Sequence, residues 1–296
     1  MRLRPYRDDD LAAVVDLQAR YETSWFGRPE RDADELKEQL DLADEISVLE
    51  DGTRLVALAT RWRTGSSLLV DPDVDGAAVY EPLLDWLAEV LAPDTEVLDR
   101  DEELRAALAG AGWRHAYSSF ELIRALSPEW TLAAPEWPAG VEVRPYDPGQ
   151  AEALHHLIYV DAAWAEVPGH HDREFAEWQQ LFLTGRKAEE APVLAWLDGR
   201  LVGAALIRLF SDGTGWIAQL AVARDGRGKG LGRALLLEGF GRLVDAGATT
   251  LGLAVLAANR GALRLYLDVG LSIDREWQNW VPRDQLVDPA DTGGSG

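Results

Sequence analysis

Apolar and polar residues run through this chain in two similar successions. The clearer one lies in the second half. There "APVLAWLDGRLVGAALIRLF" sets apolar runs on either side of Asp198-Gly199, which predicts a β-hairpin. "GWIAQLAV" predicts another strand, and "LGRALLLEGFGRLVDAG" carries apolar residues at helical spacing up to Gly247. "TTLGLAV" follows as a strand, "NRGALRLYLDVG" as a helix stopped by Gly270, and "LSIDREWQNWV" as a last strand. The first half keeps the same order. "ISVLEDGTRLVALATRW" turns at Asp51-Gly52, then come "SSLLV" and the helix "VYEPLLDWLAEVL". "TEVLD", "EELRAALAGAG" and "WRHAYSSFELI" complete it.

Each succession opens on the same tripeptide. Arg-Pro-Tyr stands in "LRPYRDDDLAAVVDL" from residue 3 and again in "VRPYDPGQAEALHHL" from residue 143. The chain is therefore read as two copies of one α/β unit, residues 1–126 and 141–284. Residues 127–140, with Pro-Glu-Trp twice, join them as a linker, and 285–296 form a disordered tail.

Composition narrows the chemistry. The chain is long enough for two domains of about 150 residues, and its 47% hydrophobic content supplies their cores. It has no cysteine, which excludes disulfides, thiolate metal sites and enzyme-bound thioesters. The adjacent pairs His155-His156 and His170-His171 point about 100° apart on a helix, so neither matches a helical zinc spacing, and no metal is expected. The N-terminus turns acidic where a secretory apolar region would start, and no apolar run approaches a membrane span. A cytoplasmic protein with no membrane partner is the expectation. The net charge of -22 argues against nucleic acid as a partner. Residues 1–140 hold 14 basic and 30 acidic side chains, net -16; residues 141–296 hold 15 and 21, net -6. An anionic ligand is repelled far less by the second half.

One stretch of the second half runs against the acidity. In "RDGRGKGLGR" (224–233) glycine stands at 226, 228, 230 and 232, among four basic residues. A Walker loop fails because Lys229 is followed by glycine, and the dinucleotide pattern G-x-G-x-x-G fails at Leu231. The pattern that holds is R-x-x-G-x-G at Arg227, Gly230 and Gly232, between a strand and a helix. Glycines let backbone N–H groups converge, and the helix start adds its positive end. This is a pyrophosphate site, with Arg227, Lys229 and Arg233 as counter-charges.

"LAVARDGRGKGLGRALL" resembles the cofactor motif of the GNAT superfamily of N-acetyltransferases, and "NRGALRLYLDVGL" resembles its N-x-x-A-x-x-L-Y-x-x-x-G signature. The resemblance spans residues 141–282. It implies two tandem acyl-CoA N-acyltransferase-like domains of the α/β (α+β) class, each a mixed, mostly antiparallel sheet flanked by helices. It implies acetyl-CoA as co-substrate, its pyrophosphate cradled by the N–H groups of Gly228, Lys229, Gly230, Leu231, Gly232 and Arg233. The strand Leu220-Ala221-Val222 would splay from its neighbour and pair with the pantetheine arm, and Asn259 would hydrogen-bond that arm. Tyr266 would lie near the thioester sulfur as general acid. The chemistry agrees, since a thiolate leaving group of pKa about 8.5 needs a proton and a tyrosine of pKa about 10 is a weak acid able to supply it.

The base is less clearly written. Glu166, His170 and His171 fall where this superfamily shapes its acceptor pocket, beside Asp161 and Glu174, and Gln219 could order a relaying water. The first copy has lost the knot. Aligned from Val70 with Val222, it has Asp75 for Arg227, Ala78 for Gly230, Tyr80 for Gly232 and Glu81 for Arg233. Aligning Gly112 with Gly270 puts Leu108 at Tyr266 and Asp101 at Asn259. That copy is expected to be structural or acceptor-shaping, its acidity favouring a cationic amine such as a polyamine or amino-sugar. The layout is also similar to the mycothiol synthase family, which carries an acid on the strand before the cofactor loop; "GWIAQL" has none. The function expected is acetyl transfer to an amine of a small-molecule acceptor. Protein acetylation and a non-catalytic coenzyme A sensor or scaffold are the rivals, and monomer and homodimer stay open.

Overall fold

The computed structural model describes residues 1–74, 76–162 and 172–283. They form two compact units. Unit 1 comprises Met1–Ser119 together with the stretch from Arg275 onward, and unit 2 comprises Phe120–Asp274.

In unit 1 the strands β1 (Arg2–Pro5), β2 (Glu45–Asp51), β3 (Arg54–Trp62), β4 (Gly65–Val70) and β5 (Thr95–Leu98) lie side by side in that order. All pairings but the parallel β4–β5 are antiparallel. Helices α1 (Leu11–Phe26) and α2 (Ala33–Asp41) bury Val14, Leu17, Leu36 and Leu40 on one face of the sheet. Helices α3 (Gly76–Glu89) and α4 (Glu102–Gly110) bury Leu83, Trp86, Leu104 and Leu108 on the other.

The strand that starts at Ser272 completes this unit. Trp277 to Trp280 pair antiparallel with Leu98 to Thr95 of β5. The same stretch is tied to unit 1 by side chains. The Arg275 guanidinium donates to both Glu30 carboxylate oxygens at 2.9 and 2.8 Å and lies 3.7 Å over the Phe26 ring. Gln278 donates to Asp99 at 2.6 Å, and Trp280 joins the core of the α3 face. Trp280→Ala is expected to cost about 3–5 kcal/mol of stability, as for other buried aromatics. Denaturant unfolding of the full chain checks this, and a loss below about 1 kcal/mol would mean the strand is not integral to that core.

Unit 2 repeats the plan with β7 (Val141–Arg144), β8 (Val193–Leu197), β9 (Arg200–Leu209), β10 (Thr214–Val222) and β11 (Thr250–Leu256) in adjacent order. Again one pairing is parallel, β10–β11. The Asp198-Gly199 hairpin forms with both residues at left-handed φ, 50° and 77°, as an Asp-Gly type I′ turn requires. Next to β11 lies strand β6 (Trp113–Ala125), of which Phe120 onward belongs to this unit. The long strand β12 (Ser272–Pro282) likewise begins here and ends in unit 1. Each copy thus takes its closing strand segment from the other, an exchange the contiguous division at 126 and 141 does not contain.

Helices α5 (Ala151–His156) and α6 (Phe175–Phe182) cover one face of this sheet, and α7 (Leu231–Asp245) and α8 (Arg260–Val269) the other. The segment read as a linker is packed rather than free. Trp130 and Leu132 lie against the α7–α8 core and Trp137 against the β8–β9 core. The tail, 285–296, lies outside the described residues. No helix among the described residues is long and apolar enough to cross a membrane.

Candidate functional site

The glycine knot connects β10 to α7 in unit 2. Gly228 and Gly230 sit at φ 73° and 86°, the left-handed region that side chains disfavour, and a Cβ on either would meet nothing within 4 Å. Backbone shape and open space therefore coincide. Gly226 and Arg227 donate their N–H groups to the Ala223 and Arg224 carbonyls, and Ala234 begins the helical ladder by donating to Gly230. Between them, the N–H groups of Gly228 through Arg233 have no acceptor among the described residues. Six donors without acceptors thus lie along one short loop at the positive end of a 15-residue helix.

The basic side chains divide in their tasks. Arg227 donates to the Ala162 carbonyl and so ties the loop to the turn after α5. Lys229 reaches the Asp225 carbonyl at 2.8 Å, and Asp225 in turn pairs with Arg200. Arg233 is exposed at the start of α7 and has no ion-pair partner among the described residues.

The strand leading into the loop parts from its neighbour. β10 and β11 pair from Thr214–Thr250 to Ile217–Leu253, and both then continue apart. The break coincides with a bulge. Against β9, Ile217 faces Ile207 and Gln219 faces Leu206, leaving Ala218 as the extra residue. The Ala223 N–H donates to Val202 of β9 at 2.9 Å. Peptide groups alternate along a strand, so Leu220 and Val222 present their N–H and C=O groups to the edge that β11 has left, and Ala221 faces β9.

Tyr266 comes from α8, on the same packed cluster as Leu220. Its ring is buried, its hydroxyl has no hydrogen-bond partner among the described residues, and burial pushes its pKa up to about 12. Asn259 has a structural task as the N-cap of α8, its side-chain oxygen accepting from the Ala262 N–H at 3.2 Å. Its amide hydrogens have no partner among the described residues.

On the opposite face of β10 the structure assembles a group that sequence reading missed. Gln219 is buried, with its oxygen accepting from the Trp178 indole at 2.8 Å and its nitrogen 3.4 Å from the Tyr159 hydroxyl. His155 lies against both rings, 4.7 Å from Tyr159 and 5.3 Å from Trp178, and hydrogen-bonds the Arg173 carbonyl at 2.8 Å. Glu166, His170 and His171 lie outside the described residues. Of the other acids considered there, Asp161 stands 3.5 Å from His156 and Glu174 is the N-cap residue of α6. No group of three His, Cys, Asp or Glu able to hold a metal occurs among the described residues.

The sequence profile of the acetyltransferase (GNAT) family matches residues 152–271, which contain the knot, the parted strand, Asn259 and Tyr266. Mycothiol acetyltransferase of Frankia alni is 30% identical over 229 residues, 70% of this chain and 67% of that protein. The chain belongs to the GNAT family. Mycothiol acetyltransferase of Thermomonospora curvata is 34% identical over 46% of this chain and 45% of that protein, so the chain spans about half the length of such a GNAT relative. Two solved structures share the fold over 94% of this chain. A GCN5-related N-acetyltransferase from Sphaerobacter thermophilus has 24% identity, 94% coverage and a TM-score of 0.77. A tandem GNAT protein from the clavulanic acid biosynthesis pathway has 17% identity, 97% coverage and a TM-score of 0.73. The two-copy α/β fold with mostly antiparallel sheets expected from the sequence is borne out.

Unit 1 has the same fold, and its loop between the corresponding strand and helix is closed. α3 begins at Gly76, the counterpart of Gly228, whereas α7 begins only at Leu231. The first helical turn fills the place of the knot. A Cβ on Gly76 would lie 2.5 Å from the Tyr80 ring and 2.5 Å from a Glu103 carboxylate oxygen, so a ring and a carboxylate stand where unit 2 has open space. Asp75 lies outside the described residues. Asp101 caps α4 by accepting from Leu104 at 2.9 Å, as Asn259 caps α8, and Leu108 is buried in the place of Tyr266. The cap has been kept and the hydroxyl lost.

Proposed function

We propose that this protein is an N-acetyltransferase that moves the acetyl group of acetyl-coenzyme A directly to an amine of a small-molecule acceptor, with unit 2 as the catalytic copy. The observation that carries this reading is the set of six acceptorless N–H groups, Gly228 to Arg233, beside a strand with a free hydrogen-bonding edge. A pyrophosphate fits the first feature and an amide-containing arm fits the second. The relatives named mycothiol acetyltransferase support a small-molecule acceptor.

Acetyl-coenzyme A supplies an acyl carbon activated by its thioester. The knot holds the pyrophosphate, with Lys229 and Arg233 adding charge. Leu220 and Val222 pair their outward peptide groups with the arm, and one of these N–H groups polarises the thioester carbonyl, as oxyanion donors do. Asn259 adds a side-chain hydrogen bond. As the acceptor nitrogen bonds to the acyl carbon and the C–S bond breaks, Tyr266 gives its proton to the departing sulfur and the nitrogen loses one to water.

In this reading unit 1 takes no coenzyme A, since Tyr80, Glu103 and the early start of α3 occupy the equivalent place. Calorimetric titration with acetyl-coenzyme A is expected to give one site per chain. Two sites would refute the assignment of unit 1, and no binding would refute the acetyltransferase reading.

A further inference from the structure

The contact between Trp178 and Gln219 has a consequence for the acceptor, and it rests on the acetyltransferase reading above. An indole N–H only donates, so the Gln219 oxygen must face it and the amide nitrogen must face away. The Tyr159 hydroxyl, 3.4 Å from that nitrogen, suits this orientation. Trp178 has no exposed surface and is gripped by His155, Phe175 and Phe182, so it cannot turn aside. Rotating the amide would set two donors against each other inside the protein, which is costly for buried polar groups. Gln219 is thus a fixed dipole with its hydrogens turned away from Trp178, one of them toward the Tyr159 hydroxyl, on the residue between the bulged Ala218 and Leu220. One of those hydrogens has no partner among the described residues.

A fixed donor attracts oxygen lone pairs and repels ammonium. We infer that Trp178 is a positioning residue that locks Gln219 as a donor, so that the enzyme selects small neutral amines carrying an ether, hydroxyl or carbonyl oxygen close to the reacting nitrogen. The class includes amino alcohols, amino-sugars and amino amides, and it leaves out alkylamines and polyamines. Net charge alone favours any cation; the locked amide restricts the choice.

The test compares 2-methoxyethylamine with n-butylamine, which match in length and differ by one acceptor oxygen. Rates are corrected to the neutral amine fraction at each pH. The wild-type protein is expected to prefer the ether by about tenfold in kcat/KM, the scale of one satisfied hydrogen bond. Trp178→Phe lets the amide rotate, and Gln219→Leu removes the donor; both should bring the ratio to within about twofold. Gln219→Glu should reverse it and add an ionisation to the rising limb of the pH profile. Affinity for acetyl-coenzyme A, measured by titration, should be unchanged in all three, which separates selectivity from misfolding. Turnover with a ratio near one in the wild type, or a ratio that survives both Trp178→Phe and Gln219→Leu, overturns this inference alone. Absence of acetyl-coenzyme A binding in the wild type overturns the parent reading and this inference with it.

Discussion

Gly230→Glu is expected to weaken acetyl-coenzyme A binding by more than a hundredfold while leaving the chain folded. Two effects act on the variant and they differ in size. The backbone at this residue has φ 86°, so any side chain brings strain of about 1–2 kcal/mol. That strain falls on a surface loop, and an acid at the N-terminus of α7 regains about 0.3–1 kcal/mol from the helix dipole. The folded state should lose only about 1 kcal/mol. Binding suffers differently, because the new carboxylate competes with the pyrophosphate for the N–H groups of Gly228 to Arg233 and repels it. Gly230→Ala separates the two effects, since it adds the strain without the charge and should weaken binding by about tenfold at most. Titration calorimetry and thermal unfolding on both variants decide the matter. Equal losses for alanine and glutamate would show that loop shape, and not a competing charge, governs the site.

Tyr266→Phe is expected to lower kcat by about 10²–10³-fold with acetyl-coenzyme A affinity unchanged, within the range for loss of a positioned general acid. Phenylalanine fills the same buried space, so packing in the α7–α8 core is preserved. The hydroxyl pKa, raised to about 12 by burial, sets the expected pH behaviour. A tyrosine is a donor only while neutral, and this one stays neutral until the pH nears that value. The rate should therefore not fall between pH 8 and 10 through loss of its proton, as it would begin to for a tyrosine of ordinary pKa near 10. The elevated value also means that full proton transfer is uphill to a free thiolate of pKa about 8.5, so in the proposed mechanism the hydroxyl acts on the sulfur as charge develops. A falling limb near pH 9 that vanishes in Tyr266→Phe would contradict the burial-raised value. An unchanged kcat would remove Tyr266 from the chemistry.

Much of this was legible in the sequence, and the reasons are local. The Asp198-Gly199 turn, the glycine knot and the Gly270 stop of α8 depend on residues a few positions apart, so their signals survive in one dimension. The absence of the glycine pattern from the first copy was legible for the same reason, although the way α3 starts early and Tyr80 lies against the helix start was not. What escaped depends on distance. Only the fold sets Trp178 against Gln219, 41 residues on. The bulge at Ala218 left no trace because burial continues to alternate across it. The exchanged strands "WRHAYSSFELI" and "LSIDREWQNWV" have alternation suited to either sheet, and alternation does not name a partner.

That exchange governs the order in which the protein can be made. Synthesis runs from the N-terminus, and the edge of β5 together with the pocket for Trp280 waits for residues 275–282. The first copy emerges whole in sequence yet unfinished in structure, and its open edge stays unpaired until residues 275–282 have left the ribosome. A gene cut between the repeats would encode two halves that each lack a strand segment. The copy without the glycine knot is thereby indispensable to the copy that has it, since neither completes its sheet alone.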